Sequence, residues 1–418
     1  MPRFLFVLTL VGLALFEAPP APAADWPQWR GSKQNCISSE TGWIAQWPEA
    51  GPKVLWKADV GRGCSSLAIT DGLVYTTGDS KEEKTKDVVW CLDAGTGAVV
   101  WKYGHSQSRD TDWVGGHGPC VTPCVHGKNV YILGRMGHAW CLDAKTGKMI
   151  WETPSNPAFE KIHNDLPGMG GLTSSPFVAG ELLITGTRAL NKDTGKVVWQ
   201  MKLEDNCRWA SPVLYERKGQ KSILCFNRYG LSAINLKDGS RLWRFPFASD
   251  GCTSAAEPVM YGEQILLSST AARRKIGPAS VLLRIDDRPE IVWQSTKFVS
   301  SFQQRIVLED HVYGCDTHRT GHSDQRFRCV NLKTGEDAWS VEKFEGGQMI
   351  ASNGKLIILD KGGVLSIIEA SPQRFRQLAQ ATVLRIGTAP VLPVLSGGRI
   401  YCRGATGDLV CLDVRAKR

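Results

Sequence analysis

Two long segments of this 418-residue chain combine histidines, carboxylates and tryptophans, side chains that bind ligands or transfer protons. They span residues 104–118 and 154–171, and each follows a short apolar run. Long loops of mixed polar and aromatic character on a rigid scaffold are suited to recognition, so we interpret both as neighbouring parts of one rim. No catalytic residue is predicted. The candidate binding residues, including some near the starts of later apolar runs, are Asp112, Trp113, His117, His163, Asp165, Arg208, Trp209, Asp250, Gln303 and Arg305.

A second constellation alternates histidine with aspartate and could ligate a cation. Its residues are His318, His322 and Asp324, with Arg319 and Arg326 nearby. The spacing matches no closed zinc pattern, and the arginines add positive charge. We therefore favour a surface loop there and predict no metal.

Thirteen cysteines raise the question of disulfide bonds. Cys91, Cys141, Cys329 and Cys411 occupy one repeated position, two residues before an acidic or amide residue, and are interpreted as small core residues. One pair is a possible disulfide. If Thr406-Gly407 forms a two-residue hairpin turn, Cys402 faces Cys411 across two strands; buried free thiols are the alternative.

The elements that must position these residues are indicated by an internal repeat. An aliphatic residue precedes an acid or amide eight times, at intervals of 38 to 51 residues, and six pairs lead to a tryptophan seven or eight residues later. Such a period is typical of an array of small units that bury apolar surface against each other. The pairs are Leu92-Asp93, Leu142-Asp143, Leu190-Asn191, Ile234-Asn235, Ile285-Asp286, Val330-Asn331, Ile368-Glu369 and Leu412-Asp413, and the tryptophans are Trp101, Trp151, Trp199, Trp243, Trp293 and Trp339.

Each unit is predicted to be four short strands, because apolar runs alternate with glycine-containing turns. Residues 52–57 resemble a fourth strand without its first three, whereas residues 408–414 resemble a third strand without a fourth. Joining the two ends closes the array and leaves no open sheet edge at the seam. The sequence therefore predicts an all-β fold, an eight-bladed β-propeller of four-stranded antiparallel blades.

The stretch from Cys91 to Gly97 followed by Trp101, and that from Cys141 to Gly147 followed by Trp151, resemble the repeats of bacterial pyrroloquinoline quinone (PQQ) propellers. The resemblance covers about residues 52–413. It implies either a quinoprotein dehydrogenase or a non-enzymatic relative such as the propeller lipoprotein of the barrel-assembly machinery. The dehydrogenases carry adjacent cysteines beside the cofactor, and this chain has none. The resemblance therefore favours the non-enzymatic branch.

The first 24 residues are typical of a secretory signal, with Arg3, an apolar run from Phe4 to Phe16 and small residues before a cleavage site near Ala23/Ala24. No cysteine precedes Cys36, so a lipid anchor is not expected. Residues 25–51 form a predicted extended arm, and residues 52–418 the propeller. We expect a periplasmic or secreted monomer with no transmembrane segment.

These observations favour an exported, non-catalytic scaffold that presents its rim to another envelope protein or polymer and holds no cofactor. Two alternatives stay open: a PQQ- and calcium-dependent alcohol dehydrogenase, and a glycan or small-molecule binder that uses Trp113 and Trp209. The net charge of +9 raises a nucleic-acid hypothesis. Basic and acidic residues are interleaved and no nucleic-acid motif is present, so we predict no such partner.

Overall fold

A computed structural model describes residues 24–416 except for 81, 84–85, 107–117, 157–170, 208, 248–255, 271–276, 301, 318–322 and 386–390. The described residues form eight sheets, each with four antiparallel strands in sequential spatial order, and one sheet gains a fifth strand. This arrangement confirms the predicted eight-bladed β-propeller. No helix in this part of the chain has the length and apolar character needed to cross a bilayer.

The strands are named in chain order, from the innermost to the outermost strand within a blade. Two strands precede the first complete blade: β1 (Ile37–Ser38) and β2 (Lys53–Asp59). Blades one to three contain β3 (Ala68–Thr70), β4 (Leu73–Asp79), β5 (Lys86–Asp93), β6 (Val99–Ser106); β7 (Cys124–His126), β8 (Asn129–Leu133), β9 (Ala139–Asp143), β10 (Met149–Thr153); and β11 (Phe177–Ala179), β12 (Leu182–Ile184), β13 (Arg188–Asn191), β14 (Val197–Gln200).

A 3-10 turn, Leu203–Asp205, follows blade three. Blades four to six contain β15 (Val213–Arg217), β16 (Gln220–Asn227), β17 (Gly230–Asn235), β18 (Arg241–Phe245); β19 (Val259–Tyr261), β20 (Gln264–Ser268), β21 (Ser280–Ile285), β22 (Pro289–Ser295); and β23 (Ile306–Leu308), β24 (His311–Thr317), β25 (Ser323–Asn331), β26 (Asp337–Glu342). Blade seven contains β27 (Gly347–Ser352), β28 (Lys355–Asp360), β29 (Val364–Glu369) and β30 (Gln377–Thr382), and blade eight begins with β31 (Val394–Ser396), β32 (Arg399–Arg403) and β33 (Asp408–Asp413).

The two ends of the propeller meet in blade eight. Strand β2 lies antiparallel to β33, with Val54 opposite Leu412 and Trp56 opposite Cys411. The N-terminal strand is therefore the outermost strand of the last blade. Backbone hydrogen bonds between the two ends of the propeller hold the ring together at this seam.

The repeated tryptophan donates a hydrogen bond to the next blade at six positions. Trp101, which is 8% exposed, donates its indole N–H to the carbonyl oxygen of Ala144 in the following blade, at 2.9 Å. The Tyr75 hydroxyl donates to the same oxygen at 3.1 Å. This position therefore combines burial of a large apolar surface with a directed hydrogen bond. Equivalent indole bonds to the next blade extend from Trp56, Trp151, Trp199, Trp293 and Trp339.

The turn that receives the tryptophan is ordered by the repeated acid. In blade two, Asp143 Oδ1 accepts hydrogen bonds from the Lys145 amide (3.1 Å), the Thr146 amide (2.8 Å) and the Thr146 hydroxyl (2.8 Å). These bonds, above all the one from the Thr146 hydroxyl, lower the pKa of the Asp143 carboxyl. Gly147 then takes a φ of +70°, which favours glycine. The repeated acid therefore stabilises the turn that follows it.

Blade five departs from the predicted alignment of this column. Trp293 pairs with Leu282, so Leu282 occupies the position that Cys91 has beside Trp101. In blade five, Arg284 therefore occupies the position of the repeated acid. The acid of the predicted pair Ile285-Asp286 lies two residues later. The cause is a longer hairpin, in which Ile285 still pairs with Pro289.

This change removes a hydrogen bond between blades. Within the described part of the chain, the Trp243 indole makes no hydrogen bond to the altered turn of blade five. Trp101→Phe removes the bond to Ala144, whereas Trp243→Phe removes no equivalent bond. We expect Trp101→Phe to lower the free energy of unfolding by about 1 kcal/mol more than Trp243→Phe, measured by denaturant titration. Equal losses would contradict a role for the indole N–H.

Candidate functional site

The rim predicted from the sequence lies on the face where the outer strand of one blade connects to the inner strand of the next. Seven of its residues fall outside the described part of the chain: Asp112, Trp113, His117, His163, Asp165, Arg208 and Asp250. Trp209 is described and is half-buried, just before β15. Its carbonyl oxygen accepts a hydrogen bond from the Thr173 hydroxyl at 3.2 Å, which fixes it to the neighbouring connection.

Two of the predicted rim residues, Arg305 and Gln303, are buried in the structure. Arg305 is 2% exposed; its guanidinium donates to the carbonyl oxygens of Cys315 and Val299 and lies 4.1 Å from the centre of the Phe298 ring. Burial lowers the Arg305 pKa to about 10. Gln303 is 7% exposed, and its carbonyl oxygen accepts a bond from the Ser300 hydroxyl. The Arg305 side chain therefore stabilises the start of blade six, and both side chains are largely shielded from solvent.

The possible disulfide between Cys402 and Cys411 rests on a register that the structure does not have. Cys402 pairs with Val410, and Cys411 pairs with Tyr401. The hairpin closes through a bond from the Gly404 amide to the Asp408 carbonyl, which leaves three loop residues rather than two. Successive side chains on a strand point to opposite faces of the sheet. The one-residue shift therefore places the Cys402 and Cys411 thiols on opposite faces, and they do not meet. Both are buried free cysteines.

The candidate metal residues stay a prediction. His318 and His322 lie outside the described residues, and only the backbone of Asp324 is described, within β25. Among the residues that the structure does describe, no group of three or more histidine, cysteine, aspartate or glutamate side chains could hold a metal ion.

A belt of buried hydroxyl groups links the inner strands at the centre of the ring. The Ser66 amide donates to Thr122 Oγ1 (3.0 Å), the Thr122 amide to Ser175 Oγ (2.9 Å) and the Ser175 amide to Ser211 Oγ (3.0 Å). The Ser211 amide continues the chain of bonds to Glu257 Oε1 at 3.2 Å. Each of these residues lies two positions before its inner strand, and we call them the hydroxyl belt. The belt satisfies one backbone amide beside the inner strand in each of four successive blades and ends on an acceptor in the fifth.

Glu257 is the one carboxylate of this belt, and both of its oxygens accept hydrogen bonds. Besides the Ser211 amide, Oε1 accepts the Trp29 indole N–H at 2.8 Å, and Oε2 accepts the Gln304 amide at 2.9 Å. Glu257 is 6% exposed and Gln304 is 2% exposed. A buried carboxylate needs such partners to offset its loss of water. The belt therefore ends in a polar cluster in which Glu257 accepts three hydrogen bonds.

The N-terminal arm occupies the centre of the ring. Trp26 exchanges two backbone hydrogen bonds of 2.8 Å with Ile69 on the inner strand of blade one. Strand β1 adds to the inner edge of blade seven, in parallel with β27. Trp26, Arg30 and Cys36 are at most 2% exposed. Further arm contacts are Pro27 with Val125, Gln34 with Pro212 and Leu214, Arg30 with Pro258, Ser38 with Leu395, and Glu40 with Gly397 and Gly398.

These contacts decide whether the described residues fit a quinone and a calcium ion. Calcium takes six to eight oxygen ligands that converge on one point. The belt offers a single carboxylate, Glu257, which three donors already engage, and arm side chains fill the space beside it. The described residues therefore do not fit the cofactor pair, and we derive no step through it.

Sequence reasoning did not identify the hydroxyl belt as a functional or structural unit. A signal was present, because Ser66, Thr122, Ser175 and Ser211 stand at the same offset before four successive inner strands. Serine and threonine are common in loops, so this column is less conspicuous than the tryptophans. The glutamate and glutamine that continue it in blades five and six obscure the repeat further.

The fold and the closed centre define a class: an eight-bladed propeller of PQQ-like repeats whose own arm fills the ring. The family described as Outer membrane protein assembly factor BamB matches residues 85–341, which is more than half of the chain. The protein belongs to this family. A search of curated proteins finds no match.

Solved structures share the fold at low sequence identity. BamB from Moraxella catarrhalis superposes with a TM-score of 0.63 at 16% identity, covering 87% of this chain and 100% of that one. The quinohemoprotein alcohol dehydrogenase from Comamonas testosteroni superposes with a TM-score of 0.65 at 14% identity, covering 96% and 82%. The computationally designed Ika8 protein gives 0.62 at 10% identity, covering 87% and 100%. Identities this low show the fold alone.

Proposed function

We propose that this propeller is an exported, non-catalytic scaffold that presents its loop-bearing face to another protein or polymer of the cell envelope. One observation carries the proposal: the arm fills the centre of the ring and engages the Glu257 carboxylate through Trp29. These internal contacts at the centre of the ring support a function without a bound cofactor. Membership of the BamB family and the signal-like first 24 residues support the same function.

Recognition by such a scaffold falls to its rim, because the arm closes the centre. Trp209 is a half-buried aromatic residue on this face, and Thr173 holds its backbone in place. Tryptophans in such positions supply a large share of binding free energy in protein interfaces. Among the predicted rim residues, Trp209 is therefore the one whose described surroundings suit an anchor.

The test is capture of a partner from envelope extract by the purified mature protein, followed by mass spectrometry. We expect Trp209→Ala to reduce the recovered partner by about tenfold, which corresponds to roughly 1.4 kcal/mol of binding free energy. Trp47→Ala is the matched control, because Trp47 is also half-buried but lies on the arm against Gln380 of blade seven. The control should leave capture unchanged.

Three results would contradict the proposal. Equal capture by wild type, Trp209→Ala and Trp47→Ala would exclude Trp209 from the interface. Tight binding of PQQ with calcium, accompanied by alcohol oxidation, would establish the dehydrogenase alternative instead. Selective binding of a glycan that Trp209→Ala abolishes would establish the third hypothesis.

A further inference from the structure

Two cysteines from different connections meet on the loop-bearing face. Cys64 lies between β2, the closing strand of blade eight, and β3 of blade one; Cys120 lies shortly before β7 of blade two. The Cys64 amide donates to the Pro119 carbonyl at 2.9 Å, and the Ser65 amide donates to the same oxygen at 3.2 Å. The Cys120 side chain raises the pKa of the Cys64 thiol, and the Cys64 side chain lowers the pKa of Cys120. The backbone of both connections thus places the two cysteines beside each other.

Glycines allow the two backbones to approach this closely. A Cβ atom on Gly63 would lie 2.7 Å from the Pro119 carbonyl oxygen, and one on Gly118 would lie 2.2 Å from the Arg62 carbonyl oxygen. Neither position has room for a side chain. Glycine at both positions therefore permits the close approach of the two connections that carry the cysteines.

Access distinguishes this pair from the other described cysteines. Cys64 and Cys120 are half-buried, whereas the ten remaining cysteines in the described part of the chain are buried. Exchange with an external disulfide requires both a reachable sulfur and a second sulfur nearby. Of the described cysteines, only these two are partly exposed and also lie beside another cysteine.

The surroundings also favour a thiolate at Cys120. A hydrogen bond from the Cys64 thiol lowers the pKa of Cys120, and the positive charges of Arg135 and Arg403 lower it further. Arg403 is itself buried and donates to the Ser65 carbonyl at 2.6 Å, so its charge is fixed in position. Thiolates, not thiols, attack disulfides, and nearby arginines are a recurring feature of reactive cysteines.

We propose that Cys64 and Cys120 form a thiol–disulfide exchange site that accepts a disulfide as its substrate. The Cys120 thiolate attacks one sulfur of the substrate, forms a mixed disulfide and releases the first thiol. Cys64, after loss of its proton, attacks the Cys120 sulfur and releases the second thiol. The protein pair is oxidised to a disulfide, and the substrate disulfide is reduced to two thiols. The inference does not depend on the scaffold function.

The bond would connect three neighbouring blades at the seam of the ring. Cys64 follows the strand that completes blade eight, and Cys120 begins blade two immediately after the segment 107–117 that carries Trp113. Oxidation would therefore tie the end of this predicted recognition segment to the closing strand. A covalent tie restricts the conformations open to the connected chain.

The first test uses the full-length mature protein and oxidised glutathione. The reduced protein is equilibrated with oxidised glutathione at pH 7.5, trapped with acid and iodoacetamide, and digested without reduction. We expect a cross-linked peptide pair that joins Cys64 to Cys120, and loss of alkylation at both residues. Continued alkylation of both, or a cross-link to a different cysteine, would overturn the proposal.

Single substitutions test the order of attack. Cys64→Ser should leave glutathione attached to Cys120, because the resolving thiol is missing. In Cys120→Ser, oxidised glutathione should modify Cys64 at least about tenfold more slowly than it modifies Cys120 in Cys64→Ser, because the more stabilised thiolate is lost. Cys402→Ser is the matched control, since Cys402 is buried and its replacement should preserve the cross-link. If a variant fails to fold, the wild-type cross-link alone still decides the proposal.

Discussion

Gly147→Ala is expected to lower the free energy of unfolding by about 3 kcal/mol, the largest effect we expect from a single methyl group. Gly147 has a φ of +70°, at which alanine costs about 1 kcal/mol. The added Cβ would also lie 2.6 Å from Cδ2 of Trp101, and such overpacking costs about 2 kcal/mol. Denaturant titration of the purified protein measures the sum.

The same blade offers a control that separates the two causes. Gly127 has a φ of +59°, but a Cβ there would meet nothing within 4 Å. Gly127→Ala should therefore lose only about 1 kcal/mol, the backbone cost. In a Trp101→Leu background, the cost of Gly147→Ala should fall towards that of Gly127→Ala. An unchanged cost in this background would show that the indole does not set the requirement for glycine.

The close contact between Gly147 and Trp101 explains why the repeat can be recognised in the sequence. The acid orders the turn, the glycine provides its positive φ, and the tryptophan of the preceding blade covers that glycine. This one contact thus requires the acid, the glycine and the tryptophan together. It recurs at Gly97, Gly195, Gly239 and Gly335. A contact made several times leaves a period in the sequence, and the period predicts the number of blades.

Features that occur once leave no such pattern. The register of the Cys402 hairpin depends on whether its loop holds two or three residues, and the run Gly404-Ala405-Thr406-Gly407 suits both. The burial of Arg305 depends on Phe298 and on the carbonyl oxygen of Cys315, which are brought together only by the fold. The pairing of Cys64 with Cys120 likewise depends on neighbouring blades. These parts of the candidate site could not be predicted from the sequence.

The arm shows how a local signal and a tertiary outcome differ. Its prolines and tryptophans indicate an extended segment, but not that Trp29 donates to Glu257 or that Cys36 receives the Ala351 amide. Those partners lie in blades five and seven, more than two hundred residues away. The arm thus fills the centre of the ring, and this supports the loop-bearing face as the proposed surface for recognition.

A buried histidine beneath that face makes stability depend on pH. His105 is 6% exposed, its ring lies 4.2 Å from that of Trp140, and Trp140 stacks at 4.2 Å on His138. Burial lowers the pKa of His105 from 6.5 to about 4, and the charges of His138 and Arg135 add to the effect. The folded protein therefore keeps this imidazole neutral while the unfolded chain takes up a proton.

The sign of the effect follows from that difference. Between pH 6.5 and about 4 the unfolded state binds more protons, so the free energy of unfolding falls as the pH falls. At pH 5 the loss amounts to about 2 kcal/mol relative to pH 8. His105→Phe keeps an aromatic ring against Trp140 and cannot take up a proton. We expect this variant to lose about 2 kcal/mol less than wild type between pH 8 and pH 5, measured by denaturant titration at both values.

Tyr103→Phe provides the matched control for the pH experiment. It introduces the same residue on the same strand, β6, and retains His105. This variant should keep the wild-type difference in unfolding free energy between pH 8 and pH 5. If His105→Phe also keeps that difference, the proton is taken up elsewhere. If His105→Phe alone removes it, the His105 imidazole is the group whose protonation destabilises the fold in acid.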